Sequence, residues 1–278
     1  MIHWRKAIGR RLRFFWEAFR KFDDDNGFFL SSGVTFNLLI CFIPLLLLLL
    51  ALVGTYLYSD REVLSHIRRY IESAIPSLDP KIVKNILRII HDRKIVGGLG
   101  IGGLAWTSTW VFSSLRTALN VIFQVEKRRG ILRGKAIDLL MVVLAGLFLW
   151  VSMLLTSSIT FLQGYQVTFF LGKGVILRFV LKYLLPFVFT YWMAFFIYKI
   201  IPNRKVGFGA ALKAALFTSL LWEVAKQLFG WYVLHLGRFS IVYGSLSTLI
   251  IFFLWIYYSS AILLLGGEIA FLLEKEKQ

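Results

Sequence analysis

The residues most able to do chemistry in this chain are ionisable side chains that lie inside long apolar segments. Insertion scales put the cost of one such group in hydrocarbon at about 2.5–3.5 kcal/mol, so each needs a partner or a function. Glu223 and Lys226 are three residues apart, which places them on one helical face where they can pair. Lys182 enters the membrane from the same side and reaches a similar depth. We therefore predict an outer polar cluster of Glu223, Lys226 and Lys182.

Two more ionisable residues lie near the opposite membrane face. Arg116 is late in one apolar segment and Glu268 is late in another, so we predict an inner polar cluster in which they meet. Either cluster can be a structural ion pair or a contact for a substrate, and the residues alone leave both roles open. Asn37 and Tyr243 are candidate lining residues, and a hydrogen bond between helices is the alternative role for Asn37.

Soluble catalysis finds little support in the sequence. The four histidines lack the spacing of a metal site, and no glycine-rich loop ending in Gly-Lys-Ser/Thr is present to hold a nucleotide phosphate. The single cysteine, Cys41, allows no disulfide within the chain. We therefore expect no metal, no cofactor and no enzymatic activity. The histidines are His3, His66, His91 and His235.

Composition shows what must position these residues. Of 278 residues, 58% are hydrophobic and 17% are charged, with a mean hydropathy of +0.72. Soluble domains carry about a quarter charged residues, so this chain is typical of a protein that faces lipid. Its net charge of +17 would indicate nucleic-acid binding in a soluble protein. In a membrane protein, cations beside the spans set orientation and contact anionic phospholipid, so we expect membrane lipids and no nucleic acid as partners.

A helix needs about 20 apolar residues to cross a bilayer, and six segments between residues 28 and 278 satisfy this. The fold class is therefore all-α, a polytopic membrane protein with six transmembrane helices. The spans are predicted at about 31–57, 96–122, 137–162, 177–201, 208–232 and 244–272.

Lysine and arginine in the connections predict that both termini lie in the cytoplasm. Cations are concentrated in the leader, at 124–135 and around 199–213, and are sparse in the short connections opposite. The long connection 58–95 carries both cations and acids, which weakens the rule without reversing it. Two amphipathic helices predicted there, 61–75 and 81–92, would form an extracytoplasmic helical cap.

Residues 1–27 are predicted to form an interfacial amphipathic helix on the cytoplasmic side. Aromatic and aliphatic residues recur at spacings of three and four, with basic residues on the remaining surface. Such a helix lies in the headgroup region and its cations meet anionic lipid; the alternative is a helix packed under the bundle with no lipid role. The acidic run 23–25 with Asn26 and Gly27 should end it. The candidate headgroup contacts are Arg5, Lys6, Arg10, Arg11 and Arg13.

Several motifs in the second half of the chain resemble those of the YihY family, also called the virulence factor BrkB family. Their order and spacing extend the resemblance over nearly the whole chain, together with Phe-Asn-Leu-Leu at 36–39 and Ala-Leu-Asn at 118–120. At 36–37 the family tends to carry tyrosine where this chain has Phe36 and Asn37. The motifs are Ile-Pro-Asn-Arg-Lys-Val at 201–206, Leu-Trp-Glu-Val-Ala-Lys at 221–226, Val-Tyr-Gly-Ser-Leu at 242–246, Leu-Trp-Ile-Tyr at 254–257 and Leu-Gly-Gly-Glu-Ile at 265–269.

The resemblance implies a multi-pass protein of the bacterial inner membrane, with links to serum resistance, virulence and envelope biology. Our first functional hypothesis is a transporter or lipid-handling protein for amphipathic, lipid- or lipopolysaccharide-related cargo. The alternative is a non-transporting scaffold that organises envelope-assembly proteins through the 58–95 cap. Some members of the family carry a former ribonuclease BN label, which these four dispersed histidines do not support because a metal-dependent nuclease needs a cluster of ligands.

Overall fold

The computed structural model describes residues 2–57, 92–126, 130–164, 183–235 and 246–276. Within these ranges the chain forms seven helices and no strand, which confirms the all-α prediction. We number the helices in chain order. They are α1 (Ile2–Asp24), α2 (Gly27–Leu57), α3 (Arg93–Ile122), α4 (Ile131–Gly164), α5 (Leu185–Ile200), α6 (Phe208–His235) and α7 (Leu246–Lys275).

Five of these helices are long and apolar enough to cross a membrane, namely α2, α3, α4, α6 and α7. The shorter apolar helix α5 has 16 residues and occupies the described part of the predicted span 177–201. The predicted cap 58–95 lies almost entirely outside the described residues. Since six complete crossings are not seen, the six-span count and the cytoplasmic placement of both termini stay predictions.

The predicted break between the leader and the first span is confirmed at Asn26. Its φ of 57° is left-handed, a conformation that asparagine adopts more readily than most residues. Gly27 then begins α2 with no room for a side chain, because an added Cβ would lie 2.3 Å from the Phe22 ring. The chain therefore turns sharply from α1 into α2.

The described residues divide into two compact units, Met1–Thr35 with Phe112–Gln278 (unit 1) and Phe36–Val111 (unit 2). In unit 2, α2 and α3 approach closely where α3 carries glycines. A Cβ on Gly100 would lie 3.0 Å from the backbone nitrogen of Leu48, and one on Gly103 would lie 3.2 Å from Pro44. These two glycines therefore serve helix packing, as small residues do in membrane bundles.

In unit 1, α6 packs against both α5 and α7, and α1 packs against α7. The contact surface of α6 is made of small side chains that are fully buried, which lets the helix backbones approach closely. These side chains are Ala210, Ala211, Ala214 and Ala215.

Several helix ends gather on one side of unit 1, which we call the terminal end. The Lys21 ammonium of α1 donates to the carbonyl of Ile122 at the end of α3 and to Glu268 late in α7. The backbone nitrogen of Asn203, after α5, donates to the Asn120 side chain at 2.9 Å. Helix α1 and the end of α7 thus meet at the terminal end.

Candidate functional site

The terminal end contains two ion pairs that involve buried carboxylates, and they take different partners from those predicted. Arg116 donates from Nη2 to Oδ2 of Asp138 at 3.0 Å, and Asp138 is 1% exposed. Glu268 is fully buried and accepts from Lys21 at 2.8 Å. The predicted contact between Arg116 and Glu268 is therefore replaced by two separate pairs, one from α3 to α4 and one from α1 to α7.

The Lys21 pair is largely enclosed, with the Lys21 side chain 14% exposed and the Glu268 side chain fully buried. Besides Glu268, the ammonium donates to Asp25 and to the carbonyl of Ile122, the latter at 3.0 Å. It also lies 4.3 Å from the centre of the Phe271 ring, within the range of a cation–π interaction. Because an ammonium has three N–H donors, these three acceptors use all of them. Lys21 thus ties α1 to the ends of α3 and α7.

Adjacent glycines let Glu268 reach this position. A Cβ on Gly266 would lie 1.9 Å from the Thr218 hydroxyl and 2.2 Å from the Tyr198 hydroxyl, and one on Gly267 would lie 2.8 Å from Leu119. The Tyr198 hydroxyl is itself buried and bonds to Thr218 at 2.7 Å. The Gly-Gly-Glu motif therefore brings α7 against α3, α5 and α6 at once.

The Arg116 pair lies beside a polar cleft of about 580 Å³ in unit 1. On α3 its lining residues follow one helical face, since they recur at spacings of three and four. A second wall comes from the start of α4 and from the chain after α5. The polar lining includes Ser113, Arg116, Thr117, Asn120, Lys135 and Asn203.

An apolar groove of about 410 Å³ follows in the same unit. It is formed by α4 from Ala145 to Ser152 and by α5 from Phe189 to Ile197, with Trp222 and Leu263 from the neighbouring helices. Along α4, Lys135 of the polar cleft precedes Ala145 of the groove by ten residues. At the helical rise of about 1.5 Å per residue this is about 15 Å, roughly the hydrocarbon depth of one membrane leaflet.

The remaining predicted residues have more varied positions. Glu223 and Lys226 do meet, at 2.7 Å, with their side chains about one third exposed. Lys182 and Tyr243 lie outside the described residues, so the outer cluster is seen only in part. Asn37 is half-buried in unit 2.

Of the residues of α1 predicted to contact lipid headgroups, only Arg13 has a described side chain. Arg13 is exposed, whereas the side chains of the other four predicted cations lie outside the described part. Ala18 and Phe22 are buried, and the Phe15 ring stacks on Phe217 at 5.4 Å. The opposite surface is exposed and aromatic, with Trp16 70% exposed. α1 is therefore packed on the bundle and still presents a free aromatic face.

Two residues of these ion pairs, Asp138 and Lys21, were not identified from the sequence. Asp138 pairs with Arg116, and Lys21 pairs with Glu268. Asp138 falls at the second residue of the predicted span 137–162, where an acid is easily taken for an interfacial residue. Helix α4 begins earlier, at Ile131, which carries Asp138 two turns into the helix. The sequence signal that could have indicated this ion pair is a glycine and an acid one helical turn apart, Gly134 and Asp138. Among the described residues, no group of three histidine, cysteine or acidic side chains is arranged to hold a metal ion.

Comparison with known proteins gives a consistent assignment. The family model described as Virulence factor BrkB matches residues 18–278. A UPF0761 membrane protein of Glaesserella parasuis is 30% identical over 200 residues, which cover 72% of this chain and 69% of that protein. A UPF0761 membrane protein of Haemophilus influenzae is 24% identical over 262 residues, covering 94% of each chain.

A third relative, a UPF0761 membrane protein of Rhodospirillum centenum, is longer. It is 28% identical over 252 residues, and the chain spans 55% of its length. No solved structure matches the chain. A family match over nearly the whole sequence, together with the apolar helices, shows that this chain belongs to the virulence factor BrkB family and is a multi-pass membrane protein of the bacterial inner membrane.

Proposed function

We propose that this protein binds and handles an amphipathic, lipid-like molecule of the bacterial envelope, as a transporter or lipid-handling protein. The observation that supports this is a pair of cavities at successive levels of α4. The polar cleft is lined mainly by α3 and reaches Lys135 of α4, and the apolar groove is lined mainly by α4 and α5 from Ala145 onward. A lipid has the same succession of a polar headgroup and apolar chains. Their separation along α4, about 15 Å, suits a headgroup in the cleft and an acyl chain in the groove.

The chemistry of the two cavities supports the same proposal. The groove is lined by aromatic and aliphatic side chains such as Phe148, Phe189 and Met193, against which an acyl chain gains dispersion contacts. The cleft offers Arg116 and Lys135 as cations, with hydroxyl and amide groups beside them. A wholly apolar ligand would displace water from these polar groups without replacing its hydrogen bonds, which costs free energy.

Helix α1 supports contact with the membrane surface. Trp16 and Phe19 are exposed on the helix, and the exposed cations Arg13 and Arg20 flank them. Aromatic rings and cations together favour the headgroup region of a membrane that contains anionic lipid. We propose that anionic phospholipid contacts this face of α1. The hydrogen bonds of Lys21 to Ile122 and Glu268 hold the other face on the bundle.

The proposed function can be tested by filling the apolar groove with a large side chain. Ala145→Trp places a large side chain in the apolar groove, and Leu147→Trp is the matched control because Leu147 is 58% exposed. Each variant is purified in mild detergent, its retained lipid is counted by native mass spectrometry, and lipid movement between leaflets is measured in liposomes.

We expect Ala145→Trp to lose retained lipid and lipid movement while Leu147→Trp keeps both. Equal lipid retention and equal movement in the two variants would contradict the proposal and favour the scaffold alternative. In that case, deleting the 58–95 segment should abolish the protein's contribution to serum resistance of the cell, while Arg116→Gln leaves that contribution intact.

A further inference from the structure

Arg116 differs from the other paired cation of the terminal end in having donors to spare. A guanidinium carries five N–H donors. Nη2 makes the two hydrogen bonds of this side chain, to Asp138 at 3.0 Å and to Ser113 at 3.3 Å. The N–H groups of Nε and Nη1 make no hydrogen bond within the described part of the chain. Arg116 is also one of the residues that line the polar cleft.

The protein fixes the orientation of this guanidinium. Asp138 is 1% exposed and holds Nη2 from α4. Gly134 lies one turn before Asp138, and a Cβ there would be 1.7 Å from Nη1. Any residue other than glycine at 134 would push the guanidinium out of this position. A buried carboxylate and a notch in α4 together hold the guanidinium in one orientation, which lowers the ordering cost of binding.

We propose that the polar cleft binds the single phosphate of a phospholipid headgroup, with Arg116 as the contacting residue and Asp138 as its positioning residue. This inference rests on the proposed function. A fixed guanidinium that is always charged suits the oxygen of a phosphate. Lys135, on the turn that carries Gly134, supplies a second cation.

The charges that line the cleft favour a small anion. Among the described lining residues and their partners, Arg116 and Lys135 are offset by Asp138 behind the guanidinium and by Glu126 in the lining. This balance leaves little net positive charge in the lining for a headgroup with several phosphates. One phosphodiester meets two cations that are within reach and leaves Glu126 at the exposed part of the cleft.

Headgroup preference, measured within each variant, tests the inference. Full-length protein is titrated by native mass spectrometry with phosphatidylglycerol, with a glucosyl diacylglycerol of the same acyl chains, and with soluble glycerol phosphate. The unmodified protein should prefer phosphatidylglycerol to the glucosyl lipid by about tenfold or more, since a hydrogen bond to a charged group is worth at least that in affinity. Arg116→Gln should remove the preference and leave affinity for the glucosyl lipid unchanged.

Two further variants guard against a loss of folding. Lys135→Gln changes an exposed side chain and should lower the preference severalfold. Asp138→Asn should lower it as well, although it keeps the shape of the side chain, and a general loss of stability would weaken both lipids equally.

The outcomes separate this inference from the proposed function. If Arg116→Gln and Lys135→Gln both keep the preference, the phosphate site is wrong, even where Ala145→Trp still lowers binding of both lipids. If Ala145→Trp lowers neither, the proposed function fails. If glycerol phosphate binds as tightly as the lipid and depends on Arg116, the ligand is a soluble phosphate and the headgroup inference is overturned.

Discussion

The two buried ion pairs of the terminal end use the same chemistry and differ in what surrounds them. In each, a carboxylate that is at most 1% exposed accepts from a cation on another helix at about 3 Å. Lys21 uses all three donors on protein acceptors, whereas Arg116, which lines a cleft, bonds protein acceptors only through Nη2 within the described residues. A cation with every donor used can only hold helices together, while one with donors left can also bind. In both pairs the second carboxylate oxygen, Oε1 of Glu268 and Oδ1 of Asp138, has no hydrogen-bond partner among the described residues. The number of unused donors, more than burial, separates the structural pair from the candidate site.

The largest expected effect is the loss of the Lys21 ammonium. Lys21→Met leaves Glu268 buried without its cation, which typically costs about 3–5 kcal/mol of unfolding free energy. Denaturant unfolding in mild detergent measures it, with Arg20→Met on the exposed face as the control. Replacing both partners, Lys21→Met with Glu268→Leu, should recover much of the loss. A cost no greater than that of Arg20→Met would show that the enclosed pair does not hold α1.

The second largest effect on unfolding free energy should come from Gly266, which lets α7 approach α5 and α6 beside Glu268. In Gly266→Ala the new Cβ would lie 1.9 Å from the Thr218 hydroxyl, so we expect overpacking to cost about 1–3 kcal/mol. Gly146→Ala is the control, because a Cβ there meets nothing within 4 Å. The same unfolding measurement applies to both. If Gly266→Ala is as mild as Gly146→Ala, the close approach of α7 to α5 and α6 is not required.

The third effect separates the two pairs directly. Since Arg116 and Glu268 take different partners, Arg116→Glu combined with Glu268→Arg should be at least as damaging as either change alone. The exchange Arg116→Asp with Asp138→Arg keeps opposite charges between α3 and α4 and should recover part of the loss. Protein yield and unfolding in detergent report both. Rescue by the first exchange, without rescue by the second, would restore the pairing predicted from the sequence.

The smallest effect should come from the pair in α6. Glu223 and Lys226 are three residues apart and partly exposed, and such pairs contribute about 0.2–0.5 kcal/mol. Glu223→Gln should therefore leave unfolding nearly unchanged and leave lipid retention intact. A loss of lipid retention at normal stability would move the binding site from the polar cleft to α6.

The sequence predicted the helices well, since long apolar runs have few alternatives in a membrane. The predicted start of span 208–232 agrees with α6, and the left-handed Asn26 lies in the predicted break between α1 and α2. The partners of the buried charges were less predictable. Arg116 and Glu268 were matched by depth, but depth does not say which helices are neighbours. Lys21 and Asp138 sit near helix ends, where a charge in the sequence looks solvated.

Photocrosslinking tests the central claim most directly. A phosphatidylglycerol with a diazirine in one acyl chain is incorporated with the protein into nanodiscs, irradiated, and the labelled peptides are mapped. We predict labels concentrated at 145–152 in α4 and 189–197 in α5, reduced by Arg116→Gln and unchanged by Glu223→Gln. Labels spread evenly over the lipid-facing helices, and indifferent to Arg116→Gln, would contradict the account.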